Sequence, residues 1–248
     1  QNLAFHLNDP GQAAAITQSL PLGEEWDYVV LQGFSLEATV ALGDPAQFVA
    51  NAVAILGNVK AHSPGARAVL YQTWARGPGH SVYPGAFADP LEMHREVEDG
   101  YRAAESAMNA AFGHGSARRA AAGEAVALRN FDAALYTTDL SHPRPGMSVM
   151  AFSAVHASIY GSRACDVDPD FATPGNLGAR LTGFGFGPVE WAELAGTADR
   201  VAVPWTRRRP GSSEDLLLLT GPAGLTNGCP LKSASMCSSS PVSSMTIA

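Results

Sequence analysis

Short apolar strands alternating with amphipathic helices predict an α/β fold, a parallel sheet covered by helices on both faces. Three observations carry that reading. Trp26 to Leu31 is an apolar, β-rich run that ends in Gln32, Gly33 and Ser35, as expected of a buried parallel strand whose carboxyl end opens into a loop. Ala66 to Tyr71 repeats the pattern and ends in Gln72, Trp74 and Arg76. Pro90 to Phe112 is helical, with Met93, Val97, Tyr101, Ala104 and Met108 falling three or four residues apart on what should be a core face.

Taken in order, residues 10–20 suggest a helix, 27–32 a strand, 45–61 a helix and 67–73 a second strand. The first of the long helices should begin near Asp44-Pro45, because proline suits a first helical turn. Gly77 to Gly85 reads as a loop over the carboxyl edge of the sheet, where His80, Tyr83 and Trp74 are candidates to line a pocket. A short final strand is expected within 120–128, and Phe131 to Tyr136 leads into a loop. The helix after Gly146 should turn Met150, Ala154 and Ile159 inward, with His156 packing or at the surface. Gly187 to Val201 suggests a terminal helix with Trp191, Leu194 and Ala198 on one face.

Composition sets limits on function. The 248 residues are 46% hydrophobic, ample for one good-sized core, and the formal net charge of -7 argues against a nucleic-acid surface. The basic run Arg207 to Arg209 reads as a solvated linker. No run approaches the ~20 apolar residues of a membrane span. Cys165, Cys229 and Cys237 show neither C-x-x-C spacing nor a histidine at metal-ligand distance, although Cys229 and Cys237 could pair in an exported protein. The expected organisation is one domain over 1–203, followed by a Pro-, Gly- and Ser-rich tail over 204–248 that cannot bury enough apolar surface to order itself.

The chemistry concentrates at Asp139-Leu140-Ser141-His142, followed by Pro143 and Gly146. A carboxylate three residues before an imidazole can hold one ring nitrogen and leave the other free to take a proton from a hydroxyl nucleophile. The spacing alone also fits an aspartate that caps a turn and a surface histidine before a proline. A metal-assisted site of Asp139, His142 and His80 would lack the dense ligand pattern that such sites need.

Trp26 through Gln32 and Ser35, the Tyr71-Gln72-Thr73-Trp74 strand end, the Ala122-Gly123-Glu124-Ala125 turn and Asp139-x-x-His142-Pro143 with Gly146 together resemble an SGNH hydrolase, of the GDSL-like esterases. The likeness covers residues 1 to about 165, and the order suits a bacterial branch whose third block reads roughly V-L-Q-x-x-S. It implies a flavodoxin-like three-layer α/β/α sandwich that hydrolyses small acyl esters, such as carbohydrate acetyl esters, without metal or organic cofactor. By that resemblance His142 is the general base and acid, Asp139 its orienting partner, Gln32 an oxyanion contact and Ser35 a residue of the same loop, with Trp74 toward the substrate.

Two family features are missing, the second-block glycine and the nucleophile. The nucleophile of the family lies in a G-[DN]-S block after its first strand, and no such triplet occurs in this sequence. Gln1 is not a translation start, and a cleaved signal peptide would not carry off the nucleophile strand of a working enzyme. The domain is therefore expected to be truncated at its N-terminus, with little or no esterase activity of its own. The alternative is a catalytically silent carbohydrate- or ligand-binding domain of the same fold.

Overall fold

Parallel pairing needs a crossover long enough to return the chain to the same end of the sheet, and the sequence supplies two helical ones. In the computed structural model, which describes residues 2–202, strands β1 (Tyr28–Leu31), β2 (Arg67–Tyr71) and β3 (Ala117–Ala120) form a parallel sheet in the order β1-β2-β3. Tyr28 stands opposite Arg67, and Ala68 opposite Ala117. Two short helices, α1 (Leu3–Asn8) and α2 (Pro10–Gln18), precede the sheet. The first crossover is α3 (Pro45–His62) and the second is α4 (Pro90–Phe112).

Both long helices start where their sequences say they should. The Asp44 carboxylate accepts from the Gln47 amide with Pro45 in the first turn, and the Asp89 carboxylate accepts from the Glu92 amide with Pro90 in the first turn. Met93, Val97, Tyr101, Ala104 and Met108 are all fully buried, as their spacing predicts. Tyr101 packs on Phe48 of α3 with ring centroids 4.9 Å apart, which joins the two crossover helices.

The last part of the sheet departs from expectation. The final strand lies at 117–120, earlier than predicted, and the Ala122-Gly123-Glu124-Ala125 segment is not a turn but the start of helix α5 (Ala122–Leu128). The reason lies in Arg118 and Arg119, which hide the apolar pattern of the strand. Arg118 donates to the Ser158 carbonyl at 2.7 Å, on helix α6 (Pro145–Tyr160). Its neighbour Arg119 donates to the Gln72 side chain at 2.6 Å and pairs with Glu124, with Glu98 and Glu105 of α4 about it. Successive strand residues point to opposite faces, so α4 and α6 cover opposite sides of the sheet and the fold is a three-layer sandwich.

Met150 and Ala154 of α6 are buried, whereas Ile159 is only half-buried. His156 packs between Phe152 and Tyr160. Helix α7 (Leu177–Gly183) was not anticipated, and α8 (Pro188–Val201) buries Trp191, Leu194 and Ala198 as expected. No described helix is long and apolar enough to cross a membrane. Arg207 to Arg209, Cys229, Cys237 and the 204–248 tail lie outside the described residues.

The two outer edges of the sheet differ. Among the described residues β1 pairs only with β2, and Val30 on it is 44% exposed. At the other edge β3 carries the two anchored arginines.

Candidate active site

The carboxyl ends of β1 and β2 open into adjacent loops, and open α/β sheets build their clefts at such ends. The cleft here, about 480 Å³, is lined by Gln32 to Ser35 after β1, by Tyr71, Thr73, Trp74 and Arg76 at and beyond the end of β2, and by Ser141, His142 and Pro143.

Each wall is held from below. The Gly33 amide donates to the buried Tyr101 hydroxyl at 3.0 Å, and the Phe34 amide donates to Glu37 at 3.1 Å. Gly33 is required by space, since a Cβ there would lie 2.7 Å from a Phe48 ring carbon. On the β2 side, Gly123 lets α5 approach the strand end, because a Cβ would come within 2.3 Å of the Thr73 carbonyl oxygen.

The loop that carries the histidine is pinned to this scaffold at several points. The Trp74 indole N–H donates to the Ser141 carbonyl at 3.1 Å, and the Gly77 amide donates to the Leu140 carbonyl at 2.7 Å. The buried Tyr136 hydroxyl donates to the Ala75 carbonyl at 2.9 Å, while Tyr136 and Pro143 form an isolated antiparallel bridge across the base of the loop. Leu140 takes a left-handed φ of 56°, a conformation that costs a non-glycine residue about 1–2 kcal/mol. That turn lets the carboxylate of Asp139 face back over its own loop.

Asp139 gathers four hydrogen bonds. Its Oδ1 accepts from the Thr137 hydroxyl at 2.7 Å, the Ser141 amide at 2.9 Å and the His142 amide at 3.0 Å. Its Oδ2 lies 2.5 Å from His142 Nδ1. The His142 amide leads these partners in holding the carboxyl well below the usual carboxylate range, followed by the Thr137 hydroxyl, the His142 ring and the Ser141 amide. An ionised carboxylate on Nδ1 fixes the proton there and leaves Nε2 with its lone pair. The histidine side chain is 76% exposed and lines the cleft, with Nδ1 engaged by Asp139 and Nε2 not. Among the described residues no hydroxyl hydrogen-bonds to it. Ser141 turns away and donates to the Asp139 carbonyl at 3.2 Å.

Of the residues singled out from the sequence, His142, Gln32, Ser35 and Trp74 line one cleft, with Asp139 directly behind His142. His80 and Tyr83 do not line it. Tyr83 instead donates through its hydroxyl to the Arg76 carbonyl at 2.9 Å, which braces the cleft wall. Sequence reasoning missed Thr137, Phe34, Tyr71 and Arg76. Thr137 had a signal, a hydroxyl two residues before the aspartate, and Arg76 stood at the strand end. Burial pushes the Tyr71 phenol up to about 12, so it faces the cleft as a neutral group.

Pro143 also lines a second, apolar cavity of about 330 Å³ with Val149, Phe152, Leu181, Phe184 and Trp191. Among the described residues no group of three or more His, Cys, Asp or Glu side chains is arranged to hold a metal ion.

No family model matches this chain, and no curated protein matches it. Two solved structures are similar. One, from Slackia heliotrinireducens and described as "a putative SGNH hydrolase", shares 24% identity at a TM-score of 0.51, over 64% of this chain and 79% of its own. The other, a DUF4886 family protein from Bacteroides uniformis, shares 13% identity at a TM-score of 0.58, over 81% of this chain and 78% of its own. At such identities the likeness establishes the α/β fold, which the chain has in common with both.

Proposed function

We propose that this chain carries the base half of a serine ester hydrolase of the SGNH type, acting on small acyl esters, carbohydrate acetyl esters among them. The observation that supports it is the Asp139–His142 pair, joined at 2.5 Å, with His142 lining a cleft at the carboxyl ends of two parallel strands. In this reading His142 takes the proton from a serine hydroxyl and returns it to the leaving alcohol, while Asp139 holds the tautomer and steadies the imidazolium. Gln32 helps to bind the oxyanion, Ser35 shapes the same loop, and Trp74 both lines the substrate cleft and holds Ser141.

In this reading the nucleophile is a serine that the described residues do not bring to His142. An added strand beside β1 would bring such a serine to the cleft and would pair the side of β1 left open among the described residues, where Val30 is 44% exposed. The test is hydrolysis of a chromogenic acetate ester by this chain and by a chain extended at its N-terminus with a strand that carries a G-[DN]-S block. The expected result is background for the first and turnover for the second, abolished by His142→Ala. An extended chain that hydrolyses equally well after that substitution refutes the role of His142.

A second reading, a silent carbohydrate- or ligand-binding domain, is favoured by one observation, the lack of any described hydroxyl on Nε2. Saturable binding of an acetylated sugar by the extended chain with no release of acetate would select it.

A further inference from the structure

Arg76 is the cleft residue that the proposed chemistry leaves without a task. Its guanidinium is half-buried, lines the same cleft as His142, and lies 5.9 Å from the centroid of the Phe34 ring on the opposite wall. It enters no ion pair with any described carboxylate, and its Nε is buried without a hydrogen-bond partner. Asp139 is near enough to act on it through space, but the hydrogen bonds to that carboxylate are already taken by Thr137, Ser141 and His142.

A half-buried cation without a partner is costly, and proteins normally satisfy one with a salt bridge. The surrounding structure nevertheless fixes it. The Tyr83 hydroxyl holds its carbonyl, and its amide donates to the Met93 sulfur at 3.3 Å. Arginine is also the side chain whose planar fork suits a carboxylate or phosphate through two parallel N–H donors.

We infer that Arg76 is a specificity-determining residue that receives an anionic oxygen group, a carboxylate or a phosphate, borne by the ligand of the His142 cleft. The aromatic walls of Phe34, Tyr71 and Trp74 flank the neutral part of that ligand, and the cleft volume of about 480 Å³ is that of a small-molecule site. The inference rests on the hydrolase reading only where it makes that ligand an ester.

The test is equilibrium binding to the 248-residue chain, so hydrolysis plays no part in the readout. Three probes are titrated by calorimetry: monomethyl succinate, glycerol 1-phosphate and the neutral dimethyl succinate. The expected result is that at least one anionic probe binds tenfold or more tighter than dimethyl succinate, with the better anion identifying the source. Arg76→Gln should bring that ratio to about one. Arg76→Lys, which keeps the charge and loses the fork, should retain part of the preference. A residue that merely packs on Phe34 would change stability and leave the ratio alone. Equal binding of all three probes by the wild-type chain overturns the inference, as does an unchanged ratio in Arg76→Gln. Anion preference without turnover in the extended chain would sink the hydrolase reading and leave this one standing, and turnover without anion preference would do the reverse.

Discussion

Asp139→Asn separates the shape of the histidine loop from the chemistry proposed for it. Three of the four hydrogen bonds to the Asp139 side chain converge on Oδ1, from the Thr137 hydroxyl and the Ser141 and His142 amides. An asparagine carbonyl can accept all three, so the loop should keep its course. The fourth position changes sign. Where Oδ2 accepts from His142 Nδ1 at 2.5 Å, an amide nitrogen would donate, and the imidazole can answer only by moving its proton to Nε2. Nε2 then has no lone pair to offer. Loss of the correct tautomer in a triad lowers turnover by roughly 10⁴-fold, which corresponds to about 5 kcal/mol of barrier. Long-range proton–nitrogen correlation at pH 9 reads the tautomer directly in the 248-residue chain, and chromogenic ester hydrolysis reads the rate in the extended one. A variant whose proton stays on Nδ1 would refute the tautomer argument, and a tenfold loss or less would refute the role of Asp139 in the rate.

Tyr101→Phe removes the acceptor of the buried Gly33 amide and should cost about 1–3 kcal/mol, measured by denaturant unfolding. Gly33→Ala places a methyl group against Phe48 and should cost a similar amount, about 1–3 kcal/mol, with Phe48→Leu in the same chain returning part of it. For acidity the direction follows from the lowered carboxyl of Asp139. A depressed folded value means that its contribution is complete above about pH 4, the ordinary aspartate value, and is lost as pH falls through the lower folded one. The amide resonances of Ser141 and His142 should therefore hold their positions at pH 4 and shift only in stronger acid, and a titration midpoint near 4 would contradict the network.

The crossover helices were legible because their signals are local. The α4 core stripe and the Asp44-Pro45 and Asp89-Pro90 starts need no tertiary information. The histidine loop was legible for the same reason, since its aspartate and its ring lie within one turn of chain. The β3 strand was not, because the burial of Arg118 and Arg119 depends on partners 40 and 47 residues away at Ser158 and Gln72. Arg76 shows the same limit. Its residue type was visible at the strand end, but the lack of a partner among the described carboxylates is a property of the folded surroundings. His80 and Tyr83 were drawn toward the cleft by their place in the loop, whereas the fold turns Tyr83 to the Arg76 backbone.

The unlike margins of the sheet bear on how these residues behave in solution. At the β3 margin two arginines are tied into the layers above and below the sheet, and charged residues on an edge strand disfavour pairing with another chain. Among the described residues the β1 margin, Tyr-Val-Val-Leu, offers unshared amides and carbonyls beside a part-exposed aliphatic side chain, the template on which polypeptides stack. Concentrated preparations of the 248-residue chain should therefore oligomerise through that side, and a lysine at position 30 should keep them dispersed.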